Sequence, residues 1–223
     1  MGRRERGKEV KGKRYKEKQR AKIYIFTEGI TERLYLKHFE IREYNAEVIP
    51  KDPKCTDAAG IVGRAKAFIK KDPLDLELGD RVYCVFDSDP GSNPDIQTTF
   101  AQIRGMQAQG MRCIFSNPSF EVWFMLHLKE NVPYGLTALQ MKGRLKMQLK
   151  SVYPDYSETT DIYVWLRDKQ SLACQRARRL HDSQAKIWER VLSHECNPYT
   201  NMFEFIEYME SIKAGKFSVP ASP

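Results

Sequence analysis

The chain has 223 residues, 41% of them hydrophobic and 30% charged, with 37 Lys or Arg against 29 Asp or Glu for a net charge of +8. That length and apolar content suit one core of moderate size and exclude a chain disordered throughout. The charge is local: residues 1–22 hold eleven Lys or Arg and three Glu, leaving 26 of each sign in residues 23–223, which excludes a fold that is basic over its whole surface.

Residues 1–21 read as a basic, flexible tail. Like charges in a block repel and stay solvated, and such a block either solubilises a terminus or lies along a phosphate backbone. Residues 22–27 (KIYIFT) are a short apolar, β-rich run and predict a buried strand, which stops at Glu28-Gly29. Leu34, Leu36 and Phe39 then give helical spacing over 30–41. A second strand is predicted at 46–49, a loop at 50–56, and a helix over 57–71 capped by Asp57, with Ile61, Ala65, Phe68 and Ile69 on one face. Residues 81–86 (RVYCVF) are the strongest strand, closed by Asp87-Ser88-Asp89-Pro90-Gly91, where Pro and Gly force a loop. A helix follows over 95–108, a strand over 111–115, the turn Ser116-Asn117-Pro118, and an apolar helix over 120–128 that Ser119 is placed to cap. From Thr137 the pattern is mainly helical, over 137–150, 168–193 and 201–213, and 214–223 reads as a flexible end.

Strands that alternate with helices require crossover connections, hence an α/β fold with a mostly parallel sheet covered by helices. The division expected is an α/β core over 22–135 and a helical C-terminal part over 136–213 packed on it. Five cysteines (Cys55, Cys84, Cys113, Cys174, Cys196) show no two-residue spacing, and Cys84 and Cys113 lie in apolar runs as buried thiols do. With no secretory leader and no apolar run of about 18 residues, the expectation is a cytoplasmic, membrane-free protein in a reducing compartment.

In parallel sheets ligands bind beyond the carboxyl ends of the strands. Glu28 follows the first strand, Asp87 and Asp89 follow the strongest one, and Glu121 lies just past the next. Glu32 is one helical turn beyond Glu28, so both can project the same way. Alternate residues of a departing strand share a side, which lets Asp87 and Asp89 converge. Clustered carboxylates repel unless a cation lies among them, and hard oxygen donors suit Mg²⁺ or Mn²⁺, ions that serve phosphodiester chemistry. Each piece has a plainer account: a solvated turn for Asp-x-Asp, and first-turn helix carboxylates for Glu28 and Glu121.

Four segments together resemble the RloB-like family: Ile25-Phe26-Thr27-Glu28-Gly29-Ile30-Thr31-Glu32; Val85-Phe86-Asp87-Ser88-Asp89; Ser116-Asn117-Pro118-Ser119-Phe120-Glu121-Val122-Trp123-Phe124 with His127; and Asn197-Pro198-Tyr199-Thr200-Asn201. The resemblance implies a TOPRIM-like core, as in primases, topoisomerases and OLD-family nucleases. It implies metal-side roles for Glu28, Asp87 and Asp89, with Glu32 matching a second Glu of the OLD nucleases and Glu121 a further carboxylate. It also implies a nuclease acting on DNA or RNA, tRNA included, in prokaryotic antiviral defence and abortive infection. The alternative is a non-catalytic effector or sensor subunit held by an ABC-type ATPase. The chain has no P-loop, so that ATPase would be a separate protein. The sequence leaves homo-oligomerisation open.

The resemblance raises a phosphate-binding or catalytic role for His127, whose spacing otherwise suits a packed core residue. Asn117 is either a substrate-orienting group or a turn residue. Phe120, Trp123 and Phe124 read as packing groups, and His194 with Cys196 is too isolated for zinc. The basic stretch of Arg167, Lys169, Arg176, Arg178, Arg179 and Lys186 reads as a solvated face balanced by Asp168, Asp182 and Glu189, with a phosphate track as the other account.

Overall fold

A computed structural model describes residues 20–50, 57–91, 93–187 and 192–215. Residues 1–19 of the basic tail, Cys55, most of the 50–56 loop, Glu189 and the last residues lie outside the described residues.

Strand β1 (Ile23–Thr27) leads into α1 (Ile30–Leu36), a 3-10 turn (Lys37–Phe39) and β2 (Ala46–Val48). Helix α2 (Ala58–Lys71) crosses to β3 (Arg81–Asp87), and α3 (Ile96–Met106) crosses to β4 (Met111–Asn117). Helices α4 (Glu121–Leu128), α5 (Ala138–Leu149), α6 (Tyr163–Leu166) and α7 (Gln170–Ala185) follow, then β5 (Tyr199–Thr200) and α8 (Met202–Lys213). The five-stranded sheet runs β2-β1-β3-β4-β5, parallel except for β5, which pairs antiparallel to β4 through Ser116 with Thr200 and Asn117 with Tyr199.

Several helix starts follow from local chemistry. The Asp57 carboxylate accepts from Gly60 N and the Asp95 carboxylate from Thr98 N, each satisfying a donor that an N-terminus leaves open. Thr137 and Gln140 form a reciprocal capping box on α5. Ser119 does not cap: the N-cap of α4 is Phe120 and makes no side-chain bond, because the strand runs two residues further than expected and the helix begins at Glu121. Gly110, with φ +91° before β4, is required there; a Cβ would sit 2.7–2.8 Å from Leu76 and Leu74.

The sheet separates two apolar clusters. Val82, Cys84 and Phe86 of β3 face α2 and α3 along with Phe26 and Phe115. Tyr83 and Val85 face the other way with Ile23, Ile25 and Ile114, against α1, α4 and α8. Alternate strand residues point to opposite faces, so Asp87 falls on the side of Tyr83 and Val85, and Ser88 on the side of Phe86. Helix α4 is buried almost all round, from Glu121 to His127, as expected for a helix apolar on every side. Trp123, fully buried there, is one of the largest side chains of the core.

The C-terminal part is helical but not only so, since β5 completes the sheet edge next to the end of β4. The helix expected over 168–193 is shorter: a 3-10 turn at Arg167–Lys169 precedes α7, which ends at Ala185. The basic stretch is a bonded surface, with Arg178 on Glu207, Arg179 on Glu130, and Arg176 on the carbonyls of Leu126 and His127. Among the described residues no helix is long and apolar enough to cross a membrane.

Candidate functional site

The strand order places β1 and β3 side by side with their outward connections leaving in opposite directions, which opens a crevice at their carboxyl ends. A cleft of about 200 Å³ lies there, and Glu28, Glu32, Asp87, Asp89 and Glu121 all line it, with Thr31, Ser119, Lys142 and Glu158. Five carboxylates spread over 94 positions of sequence are thus brought to one cleft. Glu28 extends the β1–β3 ladder by donating its N–H to Val85 O, and its Oε2 lies 3.4 Å from Asp87 N. Asp87 ends β3 itself. Asp89 is exposed in the loop beyond, where its Oδ1 accepts from Gly91 N. Glu32 and Glu121 are almost fully buried, each in the first turn of its helix. Glu32 folds back on Gly29, and a Cβ at Gly29 would fall 2.3 Å from its Oε2, so a larger residue there would displace the Glu32 carboxylate.

The electrostatics are those of like charges confined together. Burial first, then the neighbouring Glu121 and Glu28 charges, pushes Glu32 up to about 7. Burial and the charges of Glu32, Glu121 and Glu28 hold Asp87 well above the usual carboxylate range. Burial also raises Glu121, against the nearby Ser119 hydroxyl and Lys142. The Ser119 contact is polar proximity, since Ser119 Oγ has no partner of hydrogen-bond geometry. Glu32 Oε2, Asp87 Oδ1 and Glu121 Oε1 are buried without a partner, an arrangement that costs free energy unless something else satisfies them.

This donor set is all carboxylate oxygen and fits Mg²⁺ or Mn²⁺ by chemistry. Among the described residues, no three His, Cys, Asp or Glu side chains already stand as a metal-ligating group. The cleft therefore supplies carboxylate donors and buried, unpartnered oxygens.

Two charged residues of the cleft have no signal in the sequence. Lys142, half-buried on α5, pairs with Glu158 at 3.0 Å. Burial works to lower its ammonium, but Glu158, Glu121 and Asp87 together hold it above its ordinary value. Glu158 comes from the segment between α5 and α6, whose backbone is tied down where Thr31 Oγ1 donates to Glu158 O. Their positions are set by packing of the C-terminal helices, which no local pattern reports.

His127 does not reach the cleft. It is 1% exposed, packed edge-on to Trp123 and Tyr35, with Nδ1 2.8 Å from Trp123 O. Burial lowers it to about 4, so the ring is neutral. Asn117 is also buried, and its amide N–H bonds are shared among the carbonyls of Ser193, His194 and Cys196. The hollows elsewhere, about 310 Å³ beside Arg176 and Arg179 and about 420 Å³ beside Arg178 and Glu207, are lined by charges already bonded.

A family model described as RloB-like protein matches residues 23–209. The chain belongs to the RloB-like family. No curated protein and no solved structure matches it. The RloB-like match runs from the first residue of β1 into α8, so every carboxylate of the cleft, and Lys142 and Glu158 with them, lies inside the family's own span.

Proposed function

We propose that this RloB-like protein is a Mg²⁺- or Mn²⁺-dependent nuclease with a TOPRIM-like core, hydrolysing phosphodiester bonds of DNA or RNA, tRNA included, in prokaryotic antiviral defence. The observation that carries the chemistry is the meeting of five carboxylates at the carboxyl ends of adjacent parallel strands, three of them with a buried, unpartnered oxygen. The nucleic-acid substrate and the defence role rest on the family resemblance, and the basic tail of residues 1–22 adds charge suited to a phosphate backbone.

Asp87 and Asp89 are the firmest ligands on this reading, Glu28 a ligand or general base, and Glu32 and Glu121 the buried carboxylates that complete the donor set. A divalent ion bound among them would neutralise phosphate charge and lower the pKa of a coordinated water. Lys142 sets a cation against the acidic wall and offers a phosphate a direct partner. Ser119 and Phe120 line the cleft beside Glu121, ahead of the buried helix α4.

The test is cleavage of DNA and RNA panels with Mg²⁺ or Mn²⁺. Asp87→Ala is expected to lose activity by roughly 100-fold or more. Cleavage equal to the parent's would rule out this mechanism.

A second reading is a non-catalytic effector or sensor subunit bound by an ABC-type ATPase. It rests on the family resemblance. Titration calorimetry with Mn²⁺ separates the two: only the nuclease reading expects binding that Asp87→Ala and Asp89→Ala abolish.

A further inference from the structure

The Asp87-Ser88-Asp89 tripeptide is pinned from the side of the sheet away from the cleft. Ser88 is buried and follows Val82, Cys84 and Phe86 onto the α2–α3 face. Its hydroxyl lies 2.7 Å from His194 Nδ1, across 106 positions of sequence. His194 Nε2 lies 3.2 Å from Asn93 O. A carbonyl only accepts, so Nε2 carries the ring proton and Nδ1 takes the Ser88 O–H.

Asn93 grips the same tripeptide at both ends. Its Nδ2 donates to Asp87 O at 3.2 Å and its backbone N–H to Asp89 O at 2.6 Å, while its Oδ1 accepts from Ala58 N. Ser88 N adds a 2.7 Å bond to Ser116 O. The His194 segment is itself anchored, since Asn117 holds the carbonyls of Ser193, His194 and Cys196, and Cys196 packs into the α2–α3 cluster. With the middle residue held on one face, the strand's alternation turns Asp87 and Asp89 together toward the other.

We propose that His194 is a positioning residue: its ring clamps Ser88 and Asn93 from behind the sheet and thereby sets the affinity of the Asp87–Asp89 side of the cleft for divalent cations. The affinity part rests on the metal reading of the cleft; the clamp does not. Such outer contacts fix the orientation of ligands that have several rotamers available, and their loss weakens metal sites by about 10–100-fold.

The experiment uses the full chain with His194→Phe, His194→Asn and Ser88→Ala. Amide hydrogen exchange at Ser88 and Asn93 is followed in chelator, and Mn²⁺ affinity by calorimetry. His194→Phe and Ser88→Ala are expected to speed exchange at these two amides and to raise the Mn²⁺ Kd by roughly 10–100-fold. His194→Asn, which keeps an acceptor near the Nδ1 place, is expected to return both to within a few fold of the parent. The double variant Ser88→Ala/His194→Phe should be no worse than His194→Phe alone, because the Ser88 contact is already lost in that variant. A merely structural histidine would instead speed exchange across the sheet, with no rescue by asparagine, and would overturn the proposal. Unchanged exchange at Ser88 and Asn93 overturns the clamp whatever the metal does. A parent that binds no Mn²⁺ overturns the metal reading and the affinity part with it, while the exchange result still decides the clamp.

Discussion

Glu32→Gln should make the metal-free protein more stable. In the folded chain, burial and the charges of Glu121 and Glu28 raise this carboxyl from 4.5 to about 7. Between those two values the folded state keeps a proton that the unfolded state has released. Stability relative to an uncharged side chain is therefore intact below 4.5 and lost as pH rises through 7. At pH 8 nearly the whole difference applies, roughly 3 kcal/mol at 1.36 kcal/mol per decade of acidity. Gln keeps the size and an acceptor oxygen while removing the charge. For a chain of this length that corresponds to a rise in Tm of roughly 6–12 °C. At pH 5 the same linkage leaves a gain under about 1 kcal/mol. The assay is thermal and urea unfolding of parent and variant in chelator, at both pH values. Excess Mn²⁺ should then close most of that gap. Ion at about 100 times its Kd stabilises the parent by about 2.7 kcal/mol, and the variant, short of one ligand, gains less. A variant no more stable than the parent at pH 8 in chelator would refute the claim that ionised carboxylates are forced together in this cleft.

Two further outcomes test the core around the site. His127 is held at about 4 by burial, so its neutral form contributes stability above 6.5 that is lost as pH falls toward 4; between pH 7.5 and 5 the unfolding free energy of His127→Leu should gain about 2 kcal/mol on the parent, read from paired urea titrations. Asn201 stands in for a strand neighbour, accepting from Phe115 N at 2.8 Å and donating to Cys113 O at 3.1 Å; Asn201→Ala should lower the unfolding free energy by roughly 2–4 kcal/mol, with wild-type stability in urea as the refuting result.

The family motifs differ in how the fold uses them. Glu28, Asp87 and Asp89 were legible because a strand that ends in a carboxylate is a local event, and parallel topology gathers strand ends at one edge. Glu32 and Glu121 followed from helical spacing and from position after a strand. The closing motif, Asn197 to Asn201, proves to be sheet-edge architecture: Tyr199 and Thr200 form β5, Asn197 Nδ2 donates to Leu136 O, and Asn201 bonds β4. A strand of two residues has no periodicity to detect.

The sequence by itself determined the alternation of strands and helices, the cap at Asp57, and the placing of acidic residues at strand ends. These depend on neighbours within a turn or two of chain. It did not determine which face each strand residue takes, because β3 is buried on both faces and is apolar at nearly every position. Tertiary structure decided that Asp87 turns to the cleft and Ser88 to His194, that Lys142 and Glu158 close the acidic wall, and that His127 stays in the core. Each of these outcomes joins a residue to one far away in sequence, and only the packing of helices on the sheet fixes which distant groups meet.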